Sequence, residues 1–136
     1  MTRLVPDGFA VPEGLETERF GLRMLTVRDV VADFEAIRDR SPGLTLEQNL
    51  IDLGWHQKEF QDRRSFAYTV VAPADDGHVL GCAYIYPTGE SGFDALAKCW
   101  VRSEVAALDE ELYEALRAWL ERDWPFERVT YPGRDA

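Results

Sequence analysis

The sequence predicts an α/β (α+β) domain with a mixed, mostly antiparallel sheet of about five strands and three helices, in the order strand, helix, helix, three strands, helix, strand. Two observations predict it. Three strand-like runs, 65–72, 78–86 and 95–102, are joined by the turn Asp75-Asp76-Gly77 and the short loop 87–93, which makes an antiparallel meander. An amphipathic run over 108–123 then separates the meander from a last strand, 126–131, and a helix in that position permits a parallel crossover.

Taken in order, residues 1–14 carry prolines at 6 and 12 and glycines at 8 and 14, which disfavour a regular element and predict an N-terminal arm on a single domain of residues 15–136. In the run 15–25, Phe20, Leu22 and Met24 alternate with Arg19, Gly21 and Arg23, the pattern of a half-buried edge strand. Thr26 with Asp29 three residues on opens a helix, and Val27, Val30, Val31, Phe34 and Ile37 fall on its predicted buried face. Ser41-Pro42-Gly43 stops it. Thr45 and Gln48 form a second capping box, opening a helix to about Asp62 with Leu46, Leu50, Leu53 and Phe60 on one side.

In the meander, Phe66, Tyr68 and Val70 alternate with Ala67, Thr69 and Val71, so both faces of that strand are apolar enough to be covered. The next strand sets Leu80, Cys82, Tyr84 and Tyr86 against Val79, Gly81, Ala83 and Ile85. A connection centred between Glu90 and Ser91 would place Cys82 opposite Cys99, Leu80 opposite Val101 and Tyr84 opposite Ala97, with Lys98, Trp100 and Arg102 on the other face. Opposed cysteines are generally slightly too far apart to bond, so neighbouring, reduced thiols are expected. The last helix buries Leu108, Leu112, Ala115, Leu116, Trp119 and Leu120, and Pro125 ends it.

The 136 residues are 46% hydrophobic, enough for one ordinary core, and the formal net charge is −10. An acidic surface without a basic patch argues against nucleic acid or an anionic membrane as partner. With no signal-like or membrane-spanning apolar segment, a cytoplasmic location is expected. The two cysteines make neither a zinc motif nor a disulfide framework, and no metal is expected.

The run Leu15-Glu16-Thr17-Glu18-Arg19-Phe20-Gly21-Leu22-Arg23-Met24-Leu25, followed by Thr26-Val27-Arg28-Asp29, resembles the opening of the ribosomal-protein-acetylating branch of the GNAT superfamily of acyl-CoA-dependent N-acetyltransferases, and Val79-Leu80-Gly81 after a polar turn resembles its third strand. The resemblance spans residues 15–131. It implies a site in the V-shaped opening between the strands 95–102 and 126–131, with acetyl-CoA as cofactor if the protein is active. In active members a glycine-bearing loop after the fourth strand holds the pyrophosphate on its backbone N–H groups. Here that place is taken by 102–111, where Val101, Arg102, Ser103 and Ala107 are the matching candidates. No glycine occurs between Gly92 and Gly133, and Glu104, Asp109, Glu110 and Glu111 bring negative charge to the helix start. The resemblance also implies a later tyrosine general acid, for which five residues after Tyr131 leave no matching position.

Two further constellations are open to two readings each. Asp52, His56 and Glu59 share one helix face, either a solvated surface or an acid–base or metal-binding group. Trp55 beside them is a core edge or an exposed contact. Tyr84, Tyr86, Trp100 and Tyr131 are core aromatics or the lining of a ligand pocket, in which Lys98 is either the cation or an outward edge charge.

The expected function is therefore a degenerate, non-catalytic GNAT-like domain that requires no cofactor and binds a small molecule or a protein; the alternative is an active acyl-CoA-dependent N-acyltransferase with an atypical loop. An exposed edge at 126–131 invites cover by the arm or pairing in a homodimer.

Overall fold

Alternating and β-branched runs pair in sequence order, giving a six-stranded sheet, β1 (Gly14–Glu16), β2 (Gly21–Met24), β3 (Phe66–Ala72), β4 (Asp75–Tyr86), β5 (Ala95–Val101) and β6 (Val129–Thr130), in a computed structural model that describes residues 3–134. All neighbours are antiparallel except β5 and β6, which are parallel. The helices are α1 (Val30–Ile37), α2 (Leu46–Gln61) and α3 (Asp109–Asp123), with 3₁₀ turns at Val27–Asp29 and Ser103–Leu108. The ends of the expected arm and domain, residues 1–2 and 135–136, lie outside the described residues.

The sixth strand arises at the start. Thr17 folds the expected single strand into a hairpin: its N–H donates to the Phe20 carbonyl at 2.9 Å and its Oγ1 accepts from the Phe20 N–H at 3.2 Å. Gly14 permits the close approach of β1 to β2, since a Cβ there would lie 2.0 Å from the Leu22 carbonyl oxygen. The arm packs on Arg63, whose Nη2 donates to the carbonyls of Pro6 (2.6 Å) and Phe9 (2.8 Å), and on Trp124, 5.5 Å from the Phe9 ring.

The sheet is covered on both faces. On one, α3 buries Leu112, Leu116, Trp119 and Leu120 against Phe20, Phe66 and Tyr68. On the other, α1 and α2 cover Leu25, Cys82 and Trp100 with Ala36 and Leu53. The helix faces expected from apolar spacing are corrected here. Val27 and Val31, and Leu46 and Leu50 of α2, are exposed, whereas Asp33 and Asn49 are buried. The reason is polar: the Asn49 Nδ2 donates to the Asp33 carboxylate at 3.1 Å, and this bond turns those faces together.

The expected β4–β5 register is one residue out. Cys82 faces Trp100, Ala83 faces Cys99 and Tyr84 faces Lys98. The cause is the connection, where the Phe93 N–H reaches the Glu90 carbonyl across a turn that Gly92 closes at φ 89°. It is therefore centred on Ser91. Cys82 and Cys99 lie on adjacent strands but opposite faces, both as free thiols, which corrects the expectation that they face one another. A second irregularity pairs Val70 with Gly81 and Val71 with Val79, leaving Leu80 as a bulge that turns its side chain to the α3 side and Val79 to the α1–α2 side.

The last expected strand shrinks to two residues. Asp94 holds its start, its Oδ2 accepting from the N–H groups of Glu127 (2.6 Å) and Arg128 (3.0 Å). No helix among the described residues is long and apolar enough to cross a membrane.

Candidate functional site

The one-residue register change gathers on one face four side chains that the expected register would have split. Tyr84 and Tyr86 of β4 and Lys98 and Trp100 of β5 all emerge on the α1–α2 face. The Trp100 Nε1–H donates to the Tyr84 hydroxyl at 3.0 Å, the Tyr84 and Tyr86 rings stack at 5.6 Å, and the Lys98 ammonium lies 5.5 Å above the Tyr86 ring. Arg40 covers the Trp100 ring at 5.3 Å. Tyr131 is not with them: it packs edge-on against Tyr113 of α3, across the sheet.

The helix-face residues meet this sheet surface. The His56 ring lies 5.4 Å from that of Tyr84, so this contact joins the two constellations read separately in the sequence. Between them is a cavity of about 220 Å³ walled by Asp33, Asn49, Asp52, Trp55, His56 and Tyr84. Glu59 is turned away from the cavity towards Arg64, 3.6 Å distant. Among the described residues no group of three or more His, Cys, Asp or Glu side chains is arranged to hold a metal.

Burial dominates the electrostatics. It raises the Asp33 carboxyl above its ordinary pKa, against the lowering by the Asn49 hydrogen bond. It lowers the pKa of His56, which the Asp52 and Glu59 charges only partly offset, and so favours the neutral imidazole. It raises the Tyr84 hydroxyl and the Cys82 thiol, so neither is a ready anion. Asp33 and Asn49 were absent from the sequence candidates. They lie off the apolar spacing of either helix, and only the packing of α1 on α2 buries them.

The second place, the opening between β5 and β6, is built differently. The two strands pair only at Ala95–Val129 and Leu96–Thr130 and then part. Arg134 crosses the gap. Its Nη2 donates to the Cys99 carbonyl at 3.1 Å and its guanidinium pairs bidentately with Asp109 at 2.5 and 2.9 Å, holding that carboxyl below the usual range. Burial raises the Cys99 thiol to about 11.

The four residues matched to a pyrophosphate loop have other partners or environments. Val101 is buried in the core. The Arg102 N–H donates to Leu80 and its Nη1 to the Val79 carbonyl at 3.0 Å, while its Nε pairs with Glu104 at 3.1 Å. The Ser103 hydroxyl donates to Asp39 at 3.2 Å, and Ala107 is exposed on the 3₁₀ turn.

Comparison with solved structures identifies the fold. A protein of Bordetella pertussis described as a GNAT-family acetyltransferase superposes with TM-score 0.71 at 24% identity, over 88% of this chain and 77% of that one. A ribosomal-protein-S5-alanine acetyltransferase from Vibrio fischeri gives 0.67 at 14% identity over 87% and 72%, and a Vibrio cholerae protein described as a ribosomal-protein-serine acetyltransferase gives 0.65 at 17% over 87% and 70%. No protein-family model matches the sequence, and a search of curated proteins finds no match. The chain has the GNAT fold, and its structure resembles members of the ribosomal-protein-acetylating branch.

Proposed function

We propose that this GNAT-fold domain is a non-catalytic binding protein whose ligand is a small organic cation, taken up in the cavity between α1, α2 and Tyr84 of the sheet. The observation that carries this reading is the Asp109–Arg134 pair, which spans the β5–β6 opening where the family resemblance implies the acyl-CoA site. A pyrophosphate calls for bare backbone N–H groups at a helix start. At the start of α3 stand Asp109, Glu110 and Glu111, carboxylates that favour the helix dipole themselves and repel phosphate. The residues present do not fit acyl-CoA.

The cavity favours a cation for a separate reason. Its charged lining groups, Asp33 and Asp52, are both carboxylates, and Trp55, His56 and Tyr84 supply aromatic faces, the combination that attracts an ammonium. Binding a cation holds Asp33 ionised, so affinity rises with pH. Titration of the protein with n-butylammonium, followed by tryptophan fluorescence, is expected to saturate, whereas n-butanol of similar size does not. Equal responses to both would refute the cation reading.

A second reading, an acyl-CoA-dependent N-acyltransferase, is favoured by the parting of β5 from β6 after two residue pairs. Calorimetric titration with acetyl-CoA separates the two. Heat saturating at micromolar ligand supports the transferase, and none up to millimolar ligand supports the binding protein.

A further inference from the structure

Among the described residues, every exposed large apolar side chain belongs to the α1–α2 layer: Val27, Val31, Leu46, Leu50, Ile51 and Trp55, between 37% and 65% exposed. Scattered single exposures are ordinary, but a concentration of this kind marks an interaction surface. We infer that the outward face of α2 is a self-association surface, and that its occupant is α2 of a second copy, packed antiparallel about a two-fold axis.

The face is complementary to itself. Along α2 it presents Glu47, then Leu50 and Ile51, then Gly54, Trp55 and Lys58, at helical neighbour spacings. When a second helix is laid antiparallel over the middle of this run, Glu47 meets Lys58 of the second copy, Leu50 meets its Trp55, and Ile51 meets its Gly54. By symmetry each contact occurs twice. The opposite charges meet at the ends, and at the centre Ile51 lies over the half-buried Gly54 of the other copy, beside its Val27. Lys58 can serve here, because its side chain is 62% exposed and its present partner, Asp62, is the C-cap one turn further along the chain. Trp55, at 65% exposure, supplies the aromatic anchor such an interface needs. No equally matched set presents itself at β6, whose two residues give little edge to pair. Trp55 also walls the cavity assigned to the ligand, so dimer and ligand share that side chain, and the mass of the unliganded protein reports on the dimer alone.

Sedimentation equilibrium at physiological salt tests it. The unmodified protein is expected at twice the protomer mass at high micromolar concentration, and Ile51→Asp at the protomer mass with an unchanged circular dichroism spectrum. Glu47→Lys and Lys58→Glu are each expected to weaken the dimer about tenfold, and the double exchange Glu47→Lys/Lys58→Glu to restore it. A protomer mass for the unmodified protein overturns the inference, whether or not another protein uses the face. A dimer that survives Ile51→Asp places the contact elsewhere, and failure of the double exchange to restore association rules out the antiparallel pairing.

Discussion

The indole of Trp100 donates to the hydroxyl of Tyr84 over 3.0 Å, joining β5 to β4 across a diagonal of the sheet and fixing the wall of the cavity. Both side chains lie on the α1–α2 face, and Trp100 is 6% exposed, so losing the Tyr84 hydroxyl leaves the buried indole N–H unpaired, whereas losing the indole leaves the hydroxyl with Cys82 alone. Tyr84→Phe is expected to destabilise by about 1–3 kcal/mol. Trp100→Phe adds a packing loss of similar size. Because the two groups share this bond, while the Tyr84 hydroxyl also bonds Cys82, the double variant should cost about 1 kcal/mol less than the sum of the singles in urea unfolding. Additivity would show that the bond contributes nothing.

Two groups in the cavity give stability opposite slopes with pH. Asp33 has a raised pKa, so between the ordinary carboxylate range and its folded value the native state holds a proton that the unfolded chain has lost. Its contribution is present below the unfolded pKa and falls as pH rises through that interval. His56 has a lowered pKa, so the unfolded chain binds the proton first, and stability falls as pH drops through 6.5 towards the folded value. In urea unfolding at a series of pH values, Asp33→Asn should remove the first slope and His56→Gln the second.

Gly81 is held between strands at a point where a Cβ would lie 2.0 Å from the Trp100 carbonyl oxygen and 2.9 Å from the Val101 Cα. Backbone cannot yield there without disturbing the β4–β5 register. Gly81→Ala should therefore cost at least about 2 kcal/mol, whereas the same change at Gly43, which has no heavy atom within 4 Å of the added Cβ, should cost far less. Thermal unfolding of the two variants compares them directly.

The acidic start of α3 makes a prediction about phosphate. Replacing Asp109, Glu110 and Glu111 with Asn, Gln and Gln should weaken the helix start, yet raise coenzyme A affinity at about 10 mM salt, where charges act over roughly 30 Å. Arg134→Ala alone removes the pair but leaves the carboxylates, so it should gain no affinity. Calorimetry reads both, and tight binding by the unmodified protein would remove the premise.

The order of elements was legible in the residues alone, because that order rests on local signals. Turn residues at Asp75-Asp76-Gly77, the Thr26 and Thr45 caps and the Pro125 stop all act within a few residues of themselves. The sequence also made legible the acidic, glycine-free start of α3. It placed four of the five candidate pocket residues, Tyr84, Tyr86, Lys98 and Trp100, on two neighbouring strands, although in a register that would have put them on opposite faces. Only the tertiary structure decided how these pieces face one another. A single positive φ at Gly92 shifts the β4–β5 pairing by one residue, and in a strand of period two that exchanges the faces of every side chain. A hydrogen bond between Asp33 and Asn49, sixteen residues apart, buries two polar side chains and exposes apolar ones that spacing alone would have placed inside. Arg134 reaches Asp109 and Cys99 only because the chain turns back after β6. Such contacts join residues distant in the chain, and their energy depends on a geometry that no local pattern encodes.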